Sequence, residues 1–264
     1  MRLGVISDIH SNLAALFVVL LAFRQENVDL ILNLGDLVGY YDKPREVLAL
    51  IKELKDQKKL ISVMGNHDIA VAGFIYHDMF SADFIASLGE ALIKSQNYNA
   101  QESWSWTITQ LDKDLSKSLL DETSKTIEVE GLRIHMVHGA PHAMRGSLQD
   151  EVGFYLTAPM IEKHKNELQK FFRNENIDVL ITGHTHFPVH MKIGSTHILN
   201  PGSVGQSRDG DPRTSFLIME AQEGKLTNVH FYRLEYSVDD RIEARYMSKD
   251  GGIESLLQTF DIES

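Results

Sequence analysis

Gly4-Val5-Ile6-Ser7-Asp8-Ile9-His10-Ser11-Asn12 is the stretch whose reading decides the fold. The apolar run from Leu3 to Ile6 predicts a buried strand over residues 2–7, ending on Asp8 and His10. In an open α/β sheet, the C-terminal ends of parallel strands face the crevice where ligands bind. A hard carboxylate oxygen beside an imidazole nitrogen suits Mn, Fe or Zn. One Asp-x-His pair carries little weight, but the pattern recurs. Apolar runs also end at Asp36, at Asn66-His67, at His138 and at His184-Thr185-His186.

The run from Leu13 to Phe23 is too short to span a bilayer and predicts a buried helix over 13–26, with Ser11 or Asn12 as its N-cap. Leu30 to Leu34 reads as a second buried strand, ending in Gly35-Asp36. Pro44 fits the first turn of a helix to about Gln57, with Val47, Leu48, Ile51 and Leu54 at helical spacing. Leu60 to Met64 reads as a third strand, ending in Gly65-Asn66-His67-Asp68. Strand and helix in alternation imply parallel pairing with right-handed crossovers.

Residues 69–125 break this rhythm with a helical insert. Its apolar positions are Phe80, Phe84, Ile85, Leu88 and Leu92, then Trp104 and Trp106, then Leu111, Leu115 and Leu119. It either caps the crevice or packs on the side of the sheet. A hairpin turning at Glu130-Gly131 follows, and its second strand ends in His138-Gly139. Residues 140–158 read as loop-rich, and a helix runs from Pro159 to about Asn174. Val179 to Thr182 is another buried strand. Alternating strands near 189–193, 196–199, 214–221 and 226–234 predict an antiparallel second half, and one or two short helices fall in 237–264. No repeat or linker interrupts the chain, so a single domain over 1–264 is expected.

The chain has 264 residues, 43% of them hydrophobic, which is enough to bury a sizeable core. A net charge of −11 argues against an extended nucleic-acid surface or an anionic membrane as partner. It does not oppose an anionic substrate, because bound cations invert the local charge. With no cysteine there is no disulfide or thiolate ligand, and the cytoplasm is the default setting.

Asp8-x-His10, Gly35-Asp36, Gly65-Asn66-His67-Asp68, His138-Gly139 and Gly183-His184-Thr185-His186 resemble, in order and spacing, the calcineurin-like metallophosphoesterases. The likeness extends from Asp8 to about Arg213 and is greatest to the small prokaryotic phosphodiesterase and diadenosine-tetraphosphatase-like branch. It implies a four-layer αββα sandwich of two mixed β-sheets flanked by helices. It also implies two divalent transition-metal ions (Mn, Fe or Zn), one held by Asp8, His10, Asp36 and His186, the other by Asp36, Asn66, His138 and His184. By the same resemblance a water or hydroxide between the metals attacks phosphorus. His67 either stabilises the transition state or protonates the leaving oxygen, and Asp68 orients it. The expected partner is a small phosphoester or nucleotide substrate. The rival reading is a non-catalytic scaffold on the same fold, and the complete ligand set favours the enzyme.

Two further features stay open. Asn12 is either a helix cap or a contact to substrate phosphate. The turn-rich loop from Asn200 to Arg213 is either ordinary turn chemistry or the source of a phosphate contact through Arg208 or Arg213. His135 precedes His138 by three residues and faces the other side of its strand, so it is not expected to bind metal.

Overall fold

The computed structural model describes residues 1–76, 98–142 and 148–237. In chain order the elements are β1 (Arg2–Ile6), α1 (Leu13–Gln25), β2 (Leu30–Asn33), α2 (Pro44–Asp56), β3 (Leu60–Ser62), α3 (Asn66–Ile75), α4 (Tyr98–Gln110) and α5 (Lys113–Ser116). After a 3-10 turn come β4 (Ser124–Val129), β5 (Leu132–Val137), α6 (Leu148–Gly153), α7 (Ala158–Lys163), α8 (Lys165–Glu175) and β6 (Val179–Ile181). The chain continues through β7 (Pro188–Ile193), β8 (Thr196–Pro201), β9 (Thr214–Gln222) and β10 (Lys225–Leu234). Among the described residues, no helix is long and apolar enough to cross a membrane.

Two five-stranded mixed sheets result, in the orders β10-β9-β1-β2-β3 and β4-β5-β6-β8-β7. β1, β2 and β3 are parallel, as the strand–helix rhythm implies. The sheets face each other across a core of Leu3, Val5 and Leu32 on one side and Ile134, Met136 and Ile181 on the other. Leu16, Leu20 and Phe23 of α1, with Leu48 and Ile51 of α2, cover the outer face of the first sheet. Leu168 and Phe172 of α8 cover the second against Leu180 and Ile198. Helix, sheet, sheet and helix thus form the four expected layers. Central strands are buried on both faces, which is why they read as continuous apolar runs without alternation.

Three expectations change. The late strands pair antiparallel as expected, β7 with β8 and β9 with β10, but they do not form one antiparallel sheet. β6 is parallel to both β5 and β8, while β9 and β10 leave the second sheet and join the first, with β9 antiparallel to β1. The helix expected from Pro159 to Asn174 is two helices broken at His164, whose φ is −104° and ψ 24°. Ile161, Leu168 and Phe172 keep helical spacing across the break, which is why the sequence reads as one helix. The stretch 140–158, expected to be rich in loop, also carries the six-residue helix α6. Of the insert's apolar positions, Phe80 to Leu92 lie outside the described residues, as do the short helices expected after residue 237.

Candidate metal centre

The predicted ligands sit where the C-terminal ends of β1, β2, β3, β5 and β6 converge. Among the described residues twelve non-glycine positions have positive φ, and five of them are here: Asp8 (55°), His10 (52°), Asp36 (55°), His184 (63°) and His186 (62°). This conformation is uncommon for residues with a Cβ and costs energy that surrounding contacts must offset. Those contacts are hydrogen bonds of the strand-end backbone. Asp8 N–H donates to Gly35 O at 3.0 Å, His10 N–H to Asp36 O at 2.9 Å, and Gly183 N–H to His138 O at 2.8 Å. His184 N–H donates to Asp8 Oδ2 at 3.1 Å, tying the second sheet to the first.

Three rings have their tautomer set by backbone carbonyls. Nδ1 of His10 donates to Val38 O at 3.2 Å, Nδ1 of His138 to Leu34 O at 2.6 Å, and Nδ1 of His186 to Gln206 O. With Nδ1 carrying the proton, each neutral ring presents a lone pair at Nε2. These lone pairs converge. His10 Nε2 lies 3.2 Å from His186 Nε2, and His186 Nε2 lies 3.2 Å from Asp8 Oδ1. His138 Nε2 lies 3.3 Å from Asp36 Oδ2 and 3.2 Å from Asn66 Oδ1. Asp8 Oδ1 and His184 Nε2 are buried with no aligned hydrogen bond. Acceptors facing acceptors in a dry site repel unless a cation lies between them, so this donor set fits a metal centre.

Asp8, His10 and His186 offer ligand atoms within 4.8 Å of one another, as do Asp36, His138 and His184, and also His10, Asp36 and His67. Asp36 stands between the groups. Its Oδ1 accepts the His67 N–H at 2.8 Å, while Oδ2 lies 3.3 Å from His138 Nε2 and 3.8 Å from His10 Nε2. A Cβ on Gly65 would lie 2.1 Å from Asp36 Oδ1, so only glycine leaves room for that carboxylate.

The charges are mutually dependent. Burial works to raise both carboxyls, yet His186 and His138 beside Asp8, and His138 and His67 beside Asp36, hold them below the ordinary range. Burial opposes charge on His138, but Asp36 and Asp8 raise it to about 9, so without a metal this ring takes up a proton. Burial and the charged neighbour His138 lower His184 to about 3. Burial also lowers His67 to about 4, against the pull of Asp36.

Other predicted residues are placed differently. His67 is buried at the centre, its ring 4.7 Å from that of His10. Asp68 does not orient it. Asp68 Oδ1 accepts N–H bonds from Leu37 (2.8 Å) and Val38 (3.4 Å), and Oδ2 accepts that of Gly65 (3.0 Å). The residue caps α3 and anchors the loop after β2. Asn12 is a cap: its Oδ1 accepts Ala15 N–H at 3.1 Å, and its amide donates to Gly205 O and Tyr236 Oη. The guanidinium of Arg208 lies 6.0 Å from the centroid of Tyr40, whose ring is 4.8 Å from that of His10, so it borders the site. Arg213 turns onto Asp211 at 2.7 Å and is not brought in. His135 pairs with Thr126 at 2.9 Å, away from the ligands.

Sequence reasoning missed four neighbours. Trp104 donates its indole N–H to His67 Nδ1 at 2.7 Å. Tyr40 packs on both His10 and His67. Tyr155 lies over His184 with ring centroids 4.2 Å apart. Asn200 donates to Gly183 O at 2.7 Å and Thr185 Oγ1 at 3.2 Å, fixing the turn that carries His184 and His186. Asn200 alone left a signal, as the residue that closes a strand before Pro201-Gly202.

Fold and site define a two-sheet protein with His and Asp clusters able to hold metal at the sheets' common edge. The chain belongs to the calcineurin-like phosphoesterase superfamily, whose domain model matches residues 1–224. It is 29% identical over 258 residues to an uncharacterised protein of Methanocaldococcus jannaschii, covering 91% of this chain and 90% of that one. It is 21% identical over 224 residues to a phosphodiesterase of the same organism, covering 84% and 96%. The crystal structure of a metallophosphoesterase from Sphaerobacter thermophilus superposes with a TM-score of 0.62 at 28% identity, covering 98% of each chain.

Proposed function

We propose that the protein is a dinuclear-metal hydrolase of phosphoester bonds in small or nucleotide substrates, acting as a phosphodiesterase or phosphatase. The observation that carries this reading is the convergence, in one buried pit, of the Asp8 and Asp36 carboxylates with the Nε2 atoms of His10, His138 and His186. Family membership supports the reaction class. One cation would be held by Asp8, His10, Asp36 and His186, and another by Asp36, Asn66, His138 and His184. Two cations there would acidify a water nucleophile and neutralise charge on the phosphoryl oxygens.

The chain's own groups do the rest. Asp36 would serve both cations: its Oδ1 is fixed by the His67 N–H, and its Oδ2 lies 3.8 Å from His10 Nε2 and 3.3 Å from His138 Nε2. The carbonyls of Val38, Leu34 and Gln206 hold His10, His138 and His186 in the ligand tautomer. His67, neutral in its buried setting, donates a hydrogen bond to the phosphoryl or leaving oxygen. Arg208, at the rim, adds positive charge for an anionic substrate.

The test is a panel of phosphomonoesters, phosphodiesters and dinucleoside polyphosphates, assayed with added Mn for wild type and Asp36→Asn. Hydrolysis of at least one class, reduced a hundredfold or more by Asp36→Asn, is expected. No turnover of any class, or undiminished turnover in the variant, overturns the reading.

A further inference from the structure

We infer that Trp104 is a positioning residue that fixes His67 as the tautomer with its proton on Nε2. This rests on the phosphoesterase reading and adds to it the group that sets the donor. The indole nitrogen has one hydrogen and no lone pair for accepting, so in the 2.7 Å contact with His67 Nδ1 it must donate. A ring nitrogen that accepts carries no proton, and in the neutral imidazole the proton is therefore on Nε2. Among the described residues Nε2 makes no hydrogen bond, which leaves that N–H for a ligand. A nitrogen of the ring lies within 4.8 Å of the ligand atoms of His10 and Asp36, beside where the phosphoryl group is expected.

The surroundings are built for this pair. Trp104 is 5% exposed and meets His67 edge-on, with centroids 5.1 Å apart at 72°. Tyr40 packs on the His67 ring at 4.7 Å, and its N–H donates to Ser103 Oγ at 3.1 Å, so one turn of α4 holds both neighbours of the imidazole. Gly39 has φ +96°, and a Cβ there would lie 2.3 Å from His67 Nδ1, in the way of the indole. Asp68 is engaged by three backbone N–H groups and offers no alternative partner. A tryptophan buried only for packing has no need of a partner that faces the reaction centre. Helix α4 therefore belongs to the site and not only to the flank of the sheet.

The experiment combines ¹⁵N-histidine NMR of the metal-free protein with a double-mutant cycle of Trp104→Phe and His67→Asn, assayed with Mn. Wild-type His67 is expected as the Nε2–H tautomer and Trp104→Phe as a mixture. Trp104→Phe should lower kcat about tenfold, with KM and bound metal unchanged, and should cost nothing further in the His67→Asn background. Benzothienylalanine at position 104, in a Trp106→Phe background, keeps the ring shape without the N–H. It should reproduce the loss, which separates the hydrogen bond from packing. An equal loss in the His67→Asn background, or wild-type His67 protonated on Nδ1, overturns the role of Trp104. A wild type that hydrolyses no ester overturns the phosphoesterase reading instead, and the NMR result still decides the tautomer.

Discussion

At the residue scale, five of the seven candidate ligands share a backbone conformation that their side chains favour less than glycine does. Asp8, His10, Asp36, His184 and His186 all have φ between 52° and 63°. Asp and His tolerate this region better than most residues, and the turn it makes at a strand end aims consecutive side chains into one pit. The ligands were legible because residue type and strand-end position are both local properties. The roles of Asp68 and Trp104 were not, because each depends on a contact more than 30 residues away in sequence. Gly65 was legible as a site glycine, and the structure gives its reason in space, not conformation, since its φ is −97°. The methyl of Gly65→Ala would meet both the Asp36 carboxylate at 2.1 Å and the Asp36 backbone nitrogen at 2.4 Å, so it displaces the strand-end turn that carries Asp36. We expect Mn affinity, measured by calorimetry, to fall at least tenfold with helix content by circular dichroism unchanged. Wild-type affinity in this variant would show that Asp36 need not sit where it does.

At the element scale, periodicity gave strands and helices but not their partners. Sheet order is set by which apolar faces meet, so nothing local in Thr214–Leu234 announces that β9 and β10 flank β1. β5 shows two faces with different chemistry on one strand. His138 at its end faces the site, while His135 is buried against Phe171 and, among the described residues, has only Thr126 as hydrogen-bond partner. Burial lowers His135 to about 4 from its ordinary 6.5. Below pH 6.5 the unfolded chain binds a proton that the folded chain refuses, so stability falls from about pH 6.5 down to about pH 4 and is flat beyond. Between pH 7 and pH 5 wild type should lose about 2 kcal/mol more than His135→Gln. Denaturant unfolding at the two pH values measures this, and equal losses would place the acid sensitivity elsewhere.

At the scale of the whole molecule, the candidate site is a seam. Asp8, His10, Asp36 and Asn66 follow strands of the first sheet, and His138, His184 and His186 follow strands of the second. The His138 bond to Leu34 O and the His184 bond to Asp8 Oδ2 cross that seam. Cations bound there would join the two sheets and share in the stability of their packing. The whole chain has a net charge of −11, so bound metals would be the natural source of attraction for an anionic ester. The central claim is thus a pair of cations sharing Asp36. Elemental analysis of protein loaded with Mn and then desalted tests it most directly, with wild type and Asp36→Asn side by side. The account predicts about two ions per chain in wild type and fewer than one in Asp36→Asn, because the shared carboxylate serves both positions. Wild type that retains no metal, or Asp36→Asn that still retains two, would contradict it.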